Sequence, residues 1–441
     1  MNEPNYFFKT PAYFIPNSEE PILFLPLLSK ALYINNSEKG VIEKLKTEGI
    51  NLQELRQSSL FGFLTENNLL IDSKPVFKFN TNITQYKPTD AVLLLTDSCN
   101  LGCTYCFADS IPSKKKLNIE VALRAIDLIL DNAKAVGSVT PTIRFLGGGE
   151  PTMEWKNLVV ITEYAKQKAK DLNLKVWIRL VTNGTLLNDD RLLWIARYID
   201  FITLSFEVLP DLQEQRPFIN GTSSHAKVLE LVKKLSGYGI KSHIRTTISD
   251  KTAHKLSEMV EYLKEYNVTH IRFEPLSQIG RSIETNTNRP LAEVFVKEFL
   301  EARELGKKYS MDVTSKQFLD ISNPRARFCS FEFSVGSNET VTACHRFSRE
   351  EHDSFDFFKF GYYKDGQFTF DVEKLNEILA LNGDSYTDCQ SCFAKWNCAG
   401  GCLSARIKNN VPSKHGPLCD LTRDLLKASI IENLDSVSSP A

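Results

Sequence analysis

The chain has 441 residues, of which 42% are apolar and 24% are charged, and its formal net charge is −1. This balance is typical of a globular protein with two or three domains and gives no argument for wholesale disorder. A near-neutral chain carries no broad basic field, so we expect neither nucleic acid nor a membrane surface among its partners.

The first 85 residues are predicted to form a small α+β domain. Three short apolar segments, AYFIP, PILFLPL and KALYIN, have the length and composition of strands. Two stretches with helical spacing follow, SEKGVIEKLKTEG and NLQELRQSSLFGFLTENNLL. The predicted order is therefore β-β-β-α-α, and we place the boundary of this domain at residue 85.

Residues 86–310 are predicted to alternate strands and helices. The predicted strands are 91–96, 142–147, 175–182, 200–206, 241–248 and 269–276. The predicted helices are 118–137, 157–172, 189–198, 225–239, 254–267 and 291–310. Six βα units in succession predict an α/β domain with a parallel sheet and right-handed crossovers, either a doubly wound sheet or a partial barrel.

Residues 311–441 form the third predicted domain. Beyond residue 310 the regular periodicity fades, and aromatic, glycine and cysteine residues interrupt short segments. This texture is typical of a domain that is organised around bound metal more than around an apolar core.

All ten cysteines lie in two regions, three between residues 99 and 106 and seven between residues 329 and 419. The N-terminus has no basic segment followed by an apolar one, and no apolar run is long enough to span a bilayer, so we expect a cytoplasmic protein. Structural disulfides are disfavoured there, and clustered thiols more often bind metal or carry out redox chemistry. The pattern predicts two metal-binding regions that flank a metal-free scaffold.

The first region, CNLGCTYC, contains Cys99, Cys103 and Cys106 just after a predicted buried strand. A structural zinc site closes with four protein ligands, and no fourth cysteine or histidine lies nearby in the sequence. Three thiolates suggest instead a [4Fe–4S] cluster with one iron that the protein does not hold. The loop follows the C-terminal end of the first strand, where parallel α/β folds place their chemistry.

This triplet, with Tyr105 before its third cysteine, resembles the signature of radical S-adenosylmethionine (SAM) enzymes. The resemblance implies a partial (β/α)6 barrel of the TIM type, in which SAM binds the open iron through its amine and carboxylate. One electron from the reduced cluster then cleaves SAM to a 5′-deoxyadenosyl radical, which takes a hydrogen atom from the substrate. A zinc knuckle or a chance triplet is the alternative.

Further motifs close the strands that follow. The residues that resemble SAM-binding positions of the family are Tyr105, Gly148, Gly149, Glu150, Asn183, Ser205 and Arg216. Within GGEP, glycine permits a close backbone approach, and the resemblance implies that the Glu150 carboxylate receives the SAM ammonium group. Relatives often have S-x-D-G where this chain has SFEV, so a structural role for Ser205 and Arg216 stays open beside a SAM contact.

The seven later cysteines resemble the SPASM extension of a subset of radical SAM enzymes, which implies two auxiliary [4Fe–4S] clusters and three clusters in all. Carried over by position, the first auxiliary cluster would be held by Cys329, Cys344 and Cys402. The second would be held by Cys389, Cys392, Cys398 and Cys419. The first set is one ligand short, which predicts an open or non-cysteine position. Glu339 stands where relatives usually carry glycine, and a pair of zinc ribbons is the alternative.

The front domain resembles the winged-helix, PqqD-like modules that add a leader peptide as an extra strand at a sheet edge. This resemblance implies a radical SAM enzyme that modifies a ribosomally made precursor peptide with a leader, and a product with a thioether or C–C crosslink. A flavodoxin or ferredoxin type of donor would supply electrons. The alternatives are an anaerobic sulfatase-maturing enzyme, in which an acidic residue replaces His345, and a non-enzymatic iron–sulfur electron carrier.

Overall fold

The computed structural model describes residues 5–17, 20–79, 81–110, 113–137, 140–329, 331–408, 410–413 and 416–438. Within these ranges, every helix is too short or too polar to cross a lipid bilayer.

The front region contains two three-stranded sheets and three helices. Its strands are β1 (Asn5–Phe8), β2 (Tyr13–Ile15), β3 (Ile22–Leu25), β4 (Lys30–Tyr33), β5 (Ile50–Asn51) and β6 (Leu70–Ile71). Its helices are α1 (Asn36–Thr47), α2 (Leu52–Arg56) and α3 (Phe61–Glu66). The strand orders are β2-β3-β4 and β5-β1-β6, both antiparallel.

The predicted β-β-β-α-α order of this region is incomplete. The structure adds β1 before the three predicted strands and divides the second predicted helix into α2 and α3. The two-residue strands β5 and β6 pair with opposite sides of β1. Strands of this length are too short to show a period of two in the sequence, so only their pairing with β1 identifies them.

The central region is a parallel sheet. Its strands are β7 (Asp90–Leu93), β8 (Thr142–Phe145), β9 (Trp177–Thr182), β10 (Phe201–Ser205), β11 (Ser242–Ile248), β12 (His270–Pro275) and β13 (Asp312–Thr314). They lie side by side in chain order, each parallel to the next. This order is singly wound, so of the two architectures compatible with the sequence it excludes the doubly wound sheet. Strand β13 was not predicted.

Helices connect these strands. They are α4 (Ile119–Val136), α5 (Trp155–Asp171), α6 (Asp189–Tyr198), α7 (Pro210–Gln213), α8 (His225–Leu235), α9 (Leu256–Leu263), α10 (Arg281–Glu284) and α11 (Ala292–Lys308). Side-chain caps set several helix starts, as at α6, where the Asn188 side chain accepts a hydrogen bond from the backbone N–H of Arg191. Predicted helix 189–198 coincides with α6.

Strands β8, β9, β11 and β12 share an Ile-Arg pair, which the structure divides between the two faces of the sheet. The isoleucines Ile143, Ile178, Ile244 and Ile271 are buried in the main apolar core. Because successive side chains of a strand point to opposite faces, the arginines lie on the other face and line the interior. They are Arg144, Arg179, Arg245 and Arg272.

The back region extends the main sheet. Strand β14 (Ser334–Val335) pairs in parallel with β7, and β15 (Thr340–Thr342), β16 (Lys359–Lys364) and β17 (Gln367–Phe370) continue antiparallel. The other elements are α12 (Phe355–Phe358), α13 (Val372–Leu379), α14 (Lys395–Cys398), α15 (Leu403–Arg406), β18 (Ile407–Lys408), β19 (Val411–Pro412) and α16 (Cys419–Ser438). Residues of β15, β16 and α13 are buried in the main core, so this region has more apolar core than its sequence texture indicates.

The front sheet β2-β3-β4 packs against the back region. Ile22 and Phe24 of β3 share an apolar cluster with Phe328 and with Leu426 of α16. The opposite face of β3 packs on the front helices, so all four residues of β3 are buried. The indole N–H of Trp396 donates to the Tyr13 hydroxyl at 3.1 Å. The front region is therefore attached to the cysteine-rich region through both apolar and polar contacts.

Candidate functional site

A cavity of about 340 Å³ lies at the C-terminal ends of the parallel strands. Its wall is formed by the cysteine loop after β7 and by the loops after β8, β9 and β10. The structure brings to this wall all three cysteines of the triplet and every predicted SAM-binding residue, namely Tyr105, Gly148, Gly149, Glu150, Asn183, Ser205 and Arg216.

The three thiols of the cysteine loop lie in an apolar, shielded environment. Burial raises the pKa of Cys99 to about 12, and the nearby Glu150 carboxylate and the other two thiols act in the same direction. Burial also raises the pKa of Cys103. Buried thiols that repel one another as thiolates are stabilised in that form by a soft metal centre, so the donor set fits an iron–sulfur cluster.

A turn after β12 holds the cysteine loop. The Arg281 guanidinium donates to the backbone oxygens of Cys103 at 2.9 Å and Ser110 at 2.7 Å, and it pairs with Asp109 at 2.9 Å. The backbone N–H of Arg281 donates to Cys106 O at 3.0 Å. A side chain at the preceding Gly280 would place its Cβ 2.5 Å from that same oxygen. The turn therefore fixes the loop by its backbone as well as by a charge.

We expect Arg281→Met to loosen the cysteine loop without removing a thiol. The variant loses charge-assisted hydrogen bonds to two carbonyls, each worth about 1.5–3 kcal/mol. The expected result is loss of iron from the reconstituted protein at least about tenfold faster than in the wild type, measured by the decay of iron–sulfur absorbance under a chelator. The exposed Lys114→Met is the control, and equal decay rates would contradict a holding role for Arg281.

The glycines of the GGEP motif pack against the cysteine loop. The backbone N–H of Gly149 donates to Thr96 O at 2.7 Å, and that of Glu150 donates to Ser98 O at 2.9 Å. A Cβ on Gly149 would lie 1.8 Å from Ser98 O, and one on Gly148 would lie 2.7 Å from Thr96 O. The close backbone approach expected at these glycines therefore occurs with the chain itself, and it joins the two loops.

Glu150 is a buried carboxylate with no cationic partner within ion-pair distance among the described residues. Its Oε1 accepts from the hydroxyls of Thr152 at 2.7 Å and Thr182 at 2.6 Å, and its Oε2 accepts from the backbone N–H of Asn183 at 2.7 Å. Neutral donors hold this carboxylate in place without cancelling its charge. The arrangement fits a ligand that brings a positive group, such as an ammonium.

Asn183 connects the strand ends to the cysteine loop. Its amide donates to the Asn100 side-chain oxygen at 3.0 Å and lies 3.9 Å from the Cys99 sulfur, and its own oxygen accepts from Thr185. These contacts make Asn183 a positioning residue for the loop. The Ser205 side chain lines the cavity at the end of β10.

Tyr105 and Arg216 form a buried cluster with Glu207. The Tyr105 hydroxyl donates to Glu207, and Arg216 donates to the Tyr105 oxygen at 3.0 Å and lies 3.6 Å from the Glu207 carboxylate. Burial raises the pKa of Glu207, and Arg216 opposes that effect. Since its guanidinium is engaged here, Arg216 fits the structural role that the sequence left open. Sequence reasoning did not assign Glu207, although it stands in the SFEV motif.

The seven later cysteines form two groups, and the causes of their pKa shifts identify the members. Burial raises the pKa of Cys398 to about 12, and the thiols of Cys419, Cys389 and Cys392 add to the shift. Burial raises the pKa of Cys329 to about 11, with Cys402 as the next cause. Cys402 also contributes to the raised pKa of Cys344, after burial and Glu332. The structure thus brings together the two sets of cysteines that the resemblance to the SPASM extension implies.

The set with three cysteines has polar neighbours. Oxygen, sulfur and ring-nitrogen atoms of Glu332, Cys344 and His345 lie within 4.8 Å of one another. His345 Nδ1 is 2.7 Å from Glu332 Oε2. Although burial opposes it, the His345 ring and Arg144 hold the pKa of Glu332 at about 2. The non-cysteine groups beside Cys344 are therefore a carboxylate and an imidazole.

Sequence reasoning missed Arg281 and the arginines of the inner strand face. Arg281 follows a glycine at the C-terminal end of a predicted strand, which is where the other motifs stand. The repeated Ile-Arg pair was visible as polar residues at alternate positions of four strands. Only the pairing of the strands, which the sequence does not give, shows that these residues face the same cavity.

Comparison with known protein families points to the part of the chain that contains the cysteine triplet and the GGEP motif. Residues 93–263 match the model of the radical SAM superfamily. A cysteine-type anaerobic sulfatase-maturating enzyme of Clostridium novyi (strain NT) is 24% identical over 341 residues, covering 71% of this chain and 87% of that protein.

Two solved structures share the fold over most of this chain. Native anSMEcpe with bound AdoMet and the Cp18Cys peptide has a TM-score of 0.65 at 20% identity, covering 80% of this chain and 99% of that one. Streptococcus suis SuiB bound to the precursor peptide SuiA has a TM-score of 0.53 at 14% identity, covering 94% of this chain and 99% of that one. At these identities the likeness shows a shared fold.

Proposed function

We propose that this chain modifies a ribosomally made precursor peptide and installs a thioether or C–C crosslink. The proposal starts from residues 93–263, which match the model of the radical SAM superfamily. The observation that carries the proposal is the front region, which is joined to the cysteine-rich region by the apolar cluster around β3. The SuiB structure, which contains a precursor peptide, covers 94% of this chain, whereas the anSMEcpe structure leaves a fifth of it unmatched.

In this proposal the cavity holds the SAM-binding cluster and SAM. Cys99, Cys103 and Cys106 would hold the cluster, the Glu150 carboxylate would receive the SAM ammonium group, and Ser205 would line the remainder of the SAM site. When bound, the cluster and SAM supply the 5′-deoxyadenosyl radical that removes a hydrogen atom from the peptide. The chain's own contribution is to orient these groups and to shield the cavity from water.

We propose two auxiliary [4Fe–4S] clusters in the back region, with Cys329, Cys344 and Cys402 on the first and the other four cysteines on the second. Glu332 is the carboxylate beside the first set. The domain boundaries in this proposal are 1–85, 86–310 and 311–441. A flavodoxin- or ferredoxin-type donor reduces the clusters.

The front region is proposed to bind the leader of the precursor. In the sheet β2-β3-β4, strands β2 and β4 are the edges. Lys30 and Tyr33 at the two ends of β4 are exposed. A leader added as a fourth strand along β4 would pair with backbone groups that have no strand partner on that side within the described part of the chain.

Sulfatase maturation is the second candidate, since the Clostridium novyi relative and anSMEcpe both resemble this chain. The two candidates differ in the product. A crosslink removes two hydrogen atoms from the peptide, whereas a sulfatase-maturating reaction on cysteine yields formylglycine and loses sulfur.

The experiment that tests the proposal uses reconstituted protein, SAM, dithionite and the short peptides encoded beside the gene. We expect release of 5′-deoxyadenosine and a peptide lighter by two hydrogen atoms, located by tandem mass spectrometry. Formylglycine in a sulfatase-derived peptide would support the second candidate. No 5′-deoxyadenosine from the cluster-loaded protein would contradict both and leave an electron carrier.

A further inference from the structure

The floor of the cavity carries an excess of guanidinium groups. Arg144 and Arg179 are paired across β8 and β9, and Arg245 and Arg272 are paired across β11 and β12. All four line the cavity, whereas the carboxylates that line it are Glu150 and Glu274. A cluster with three thiolates and one bound SAM carry almost no net charge together, so the cofactors do not balance this excess.

Two of the four arginines have acidic partners. Arg144 lies 3.4 Å from Glu332, and Arg272 lies 3.4 Å from Glu274. Arg144 pairs through its Nη1 and keeps a buried Nε without a hydrogen-bond acceptor among the described residues, whereas Arg272 pairs through its Nε without hydrogen-bond geometry. The pairs therefore neutralise charge without using all the donors of either guanidinium.

Arg179 and Arg245 have neither a hydrogen bond nor an ion pair from their side chains to any residue that the structure describes. Burial is the main reason that the pKa of each is lowered; Arg144 and Arg272 lower the pKa of Arg179 further, whereas the Glu274 carboxylate opposes the shift of Arg245. Both residues are half-buried. A half-buried cation without a partner has lost part of its hydration, and an anionic ligand would offset that loss.

Register separates the roles of these two residues. Arg245 pairs with Ser205, so it lies beside the proposed SAM site and suits the SAM carboxylate. Arg179 pairs with Phe201, four residues earlier on β10, so it lies nearer the N-terminal ends of the strands than Arg245 does. Arg179 is therefore the unpaired cation on the side of the cavity away from the cysteine loop.

Two aromatic rings orient the Arg179 guanidinium. It lies 5.5 Å from the centre of the Trp177 ring and 5.1 Å from the centre of the Phe201 ring. Contacts with aromatic rings attract the guanidinium without using its N–H donors, which stay available for a carboxylate.

Other cations of the cavity wall already have a use. Lys316 lies 4.6 Å from the centre of the Phe328 ring, and Arg346 lies 5.7 Å from the centre of the Phe107 ring. Arg346 also donates to Ser277 at 2.8 Å. The surplus is therefore concentrated at Arg179.

We propose that the cavity floor is a carboxylate-binding subsite, in which Arg179, flanked by Arg144 and Arg272, binds an acidic side chain or a free C-terminus of the peptide substrate. This inference rests on the proposed function, because it names the chemistry of the peptide segment that enters the cavity. It makes Arg179 a specificity-determining residue.

The test measures binding to the full-length, cluster-loaded protein with SAM present and no reductant, so it does not depend on turnover. The probes are capped Gly-Gly-Glu-Gly-Gly, its Gln counterpart, and the Gln peptide with a free C-terminus, followed by saturation-transfer NMR. We expect the Glu peptide or the free C-terminus to bind at least about tenfold more tightly than the capped Gln peptide. If the Glu peptide binds more tightly, the carboxylate comes from a side chain; if the peptide with a free C-terminus does, it comes from the end of the peptide.

Variants locate the effect. Arg179→Met is expected to abolish the preference, Arg179→Lys to keep part of it, and the exposed Arg197→Met to leave it intact, with the Kd of SAM unchanged in all three. Equal binding of all peptides to the wild type overturns the subsite. An Arg179→Met variant that keeps the preference, or that weakens SAM binding instead, overturns the role of Arg179. Failure of the proposed function would appear only in the turnover assay.

Discussion

The variant in which Cys99, Cys103 and Cys106 are all replaced by alanine is expected to release no 5′-deoxyadenosine above the background without enzyme. The three thiols lie on one loop and line the cavity, and no other cysteine lines it. Since a cluster and SAM supply the radical chemistry, a chain that cannot hold that cluster loses the reaction entirely, a fall of at least about a thousandfold.

Iron content separates this result from misfolding. The variant should lose about four iron atoms relative to the wild type and keep those bound by the later cysteines. Anaerobic reconstitution, iron analysis and 5′-deoxyadenosine measured by chromatography are the readouts. SAM cleavage by the triple variant would contradict the role of the loop, and zinc in place of iron in the wild type would support the zinc alternative.

Gly149→Ala is expected to abolish the same reaction although it removes no ligand. The new methyl group would lie 1.8 Å from Ser98 O and 2.3 Å from Ser98 C. These are backbone atoms of the cysteine loop, so the clash is relieved only by moving that loop away from Glu150. We expect a cost of about 2–4 kcal/mol in the packing of the two loops and a loss of SAM cleavage of about a hundredfold or more.

Gly102→Ala is the matched control for this variant. Gly102 lies within the cysteine loop itself, but a Cβ built there meets no atom within 4 Å. The control should keep its iron and cleave SAM at a rate near that of the wild type. Equal activity of the Gly149 and Gly102 variants would show that the contact between the loops is not needed for the cluster site.

The sequence determined the central sheet and the position of the chemistry. Local patterns were sufficient for its first six strands and its long helices, because these show their own period, as in β9 and α4, whereas the three-residue β13 was missed. The GGEP glycines and the cysteine triplet could be assigned to one edge because the C-terminal ends of parallel strands meet there. This is why all the predicted SAM-binding residues line one cavity.

Only the tertiary structure decided which residues are free to bind a ligand. Arg216 looked available from its motif, yet Tyr105 and Glu207 engage it. Arg179 carried no motif, yet its guanidinium lies beside two aromatic rings and forms no hydrogen bond or ion pair with any described residue. Partners such as these come from strands and loops far apart in the chain, and no local period encodes them.

The same reason explains what was missed in the fold. Strands β5 and β6 exist through pairing with β1, and β14 joins β7 across more than two hundred residues of chain. A pattern of hydrophobic and polar residues specifies which face of a segment is buried. A strand of two or three residues is too short to show that pattern. Short strands, shared cores and the use of each charged group are therefore properties of the assembled chain.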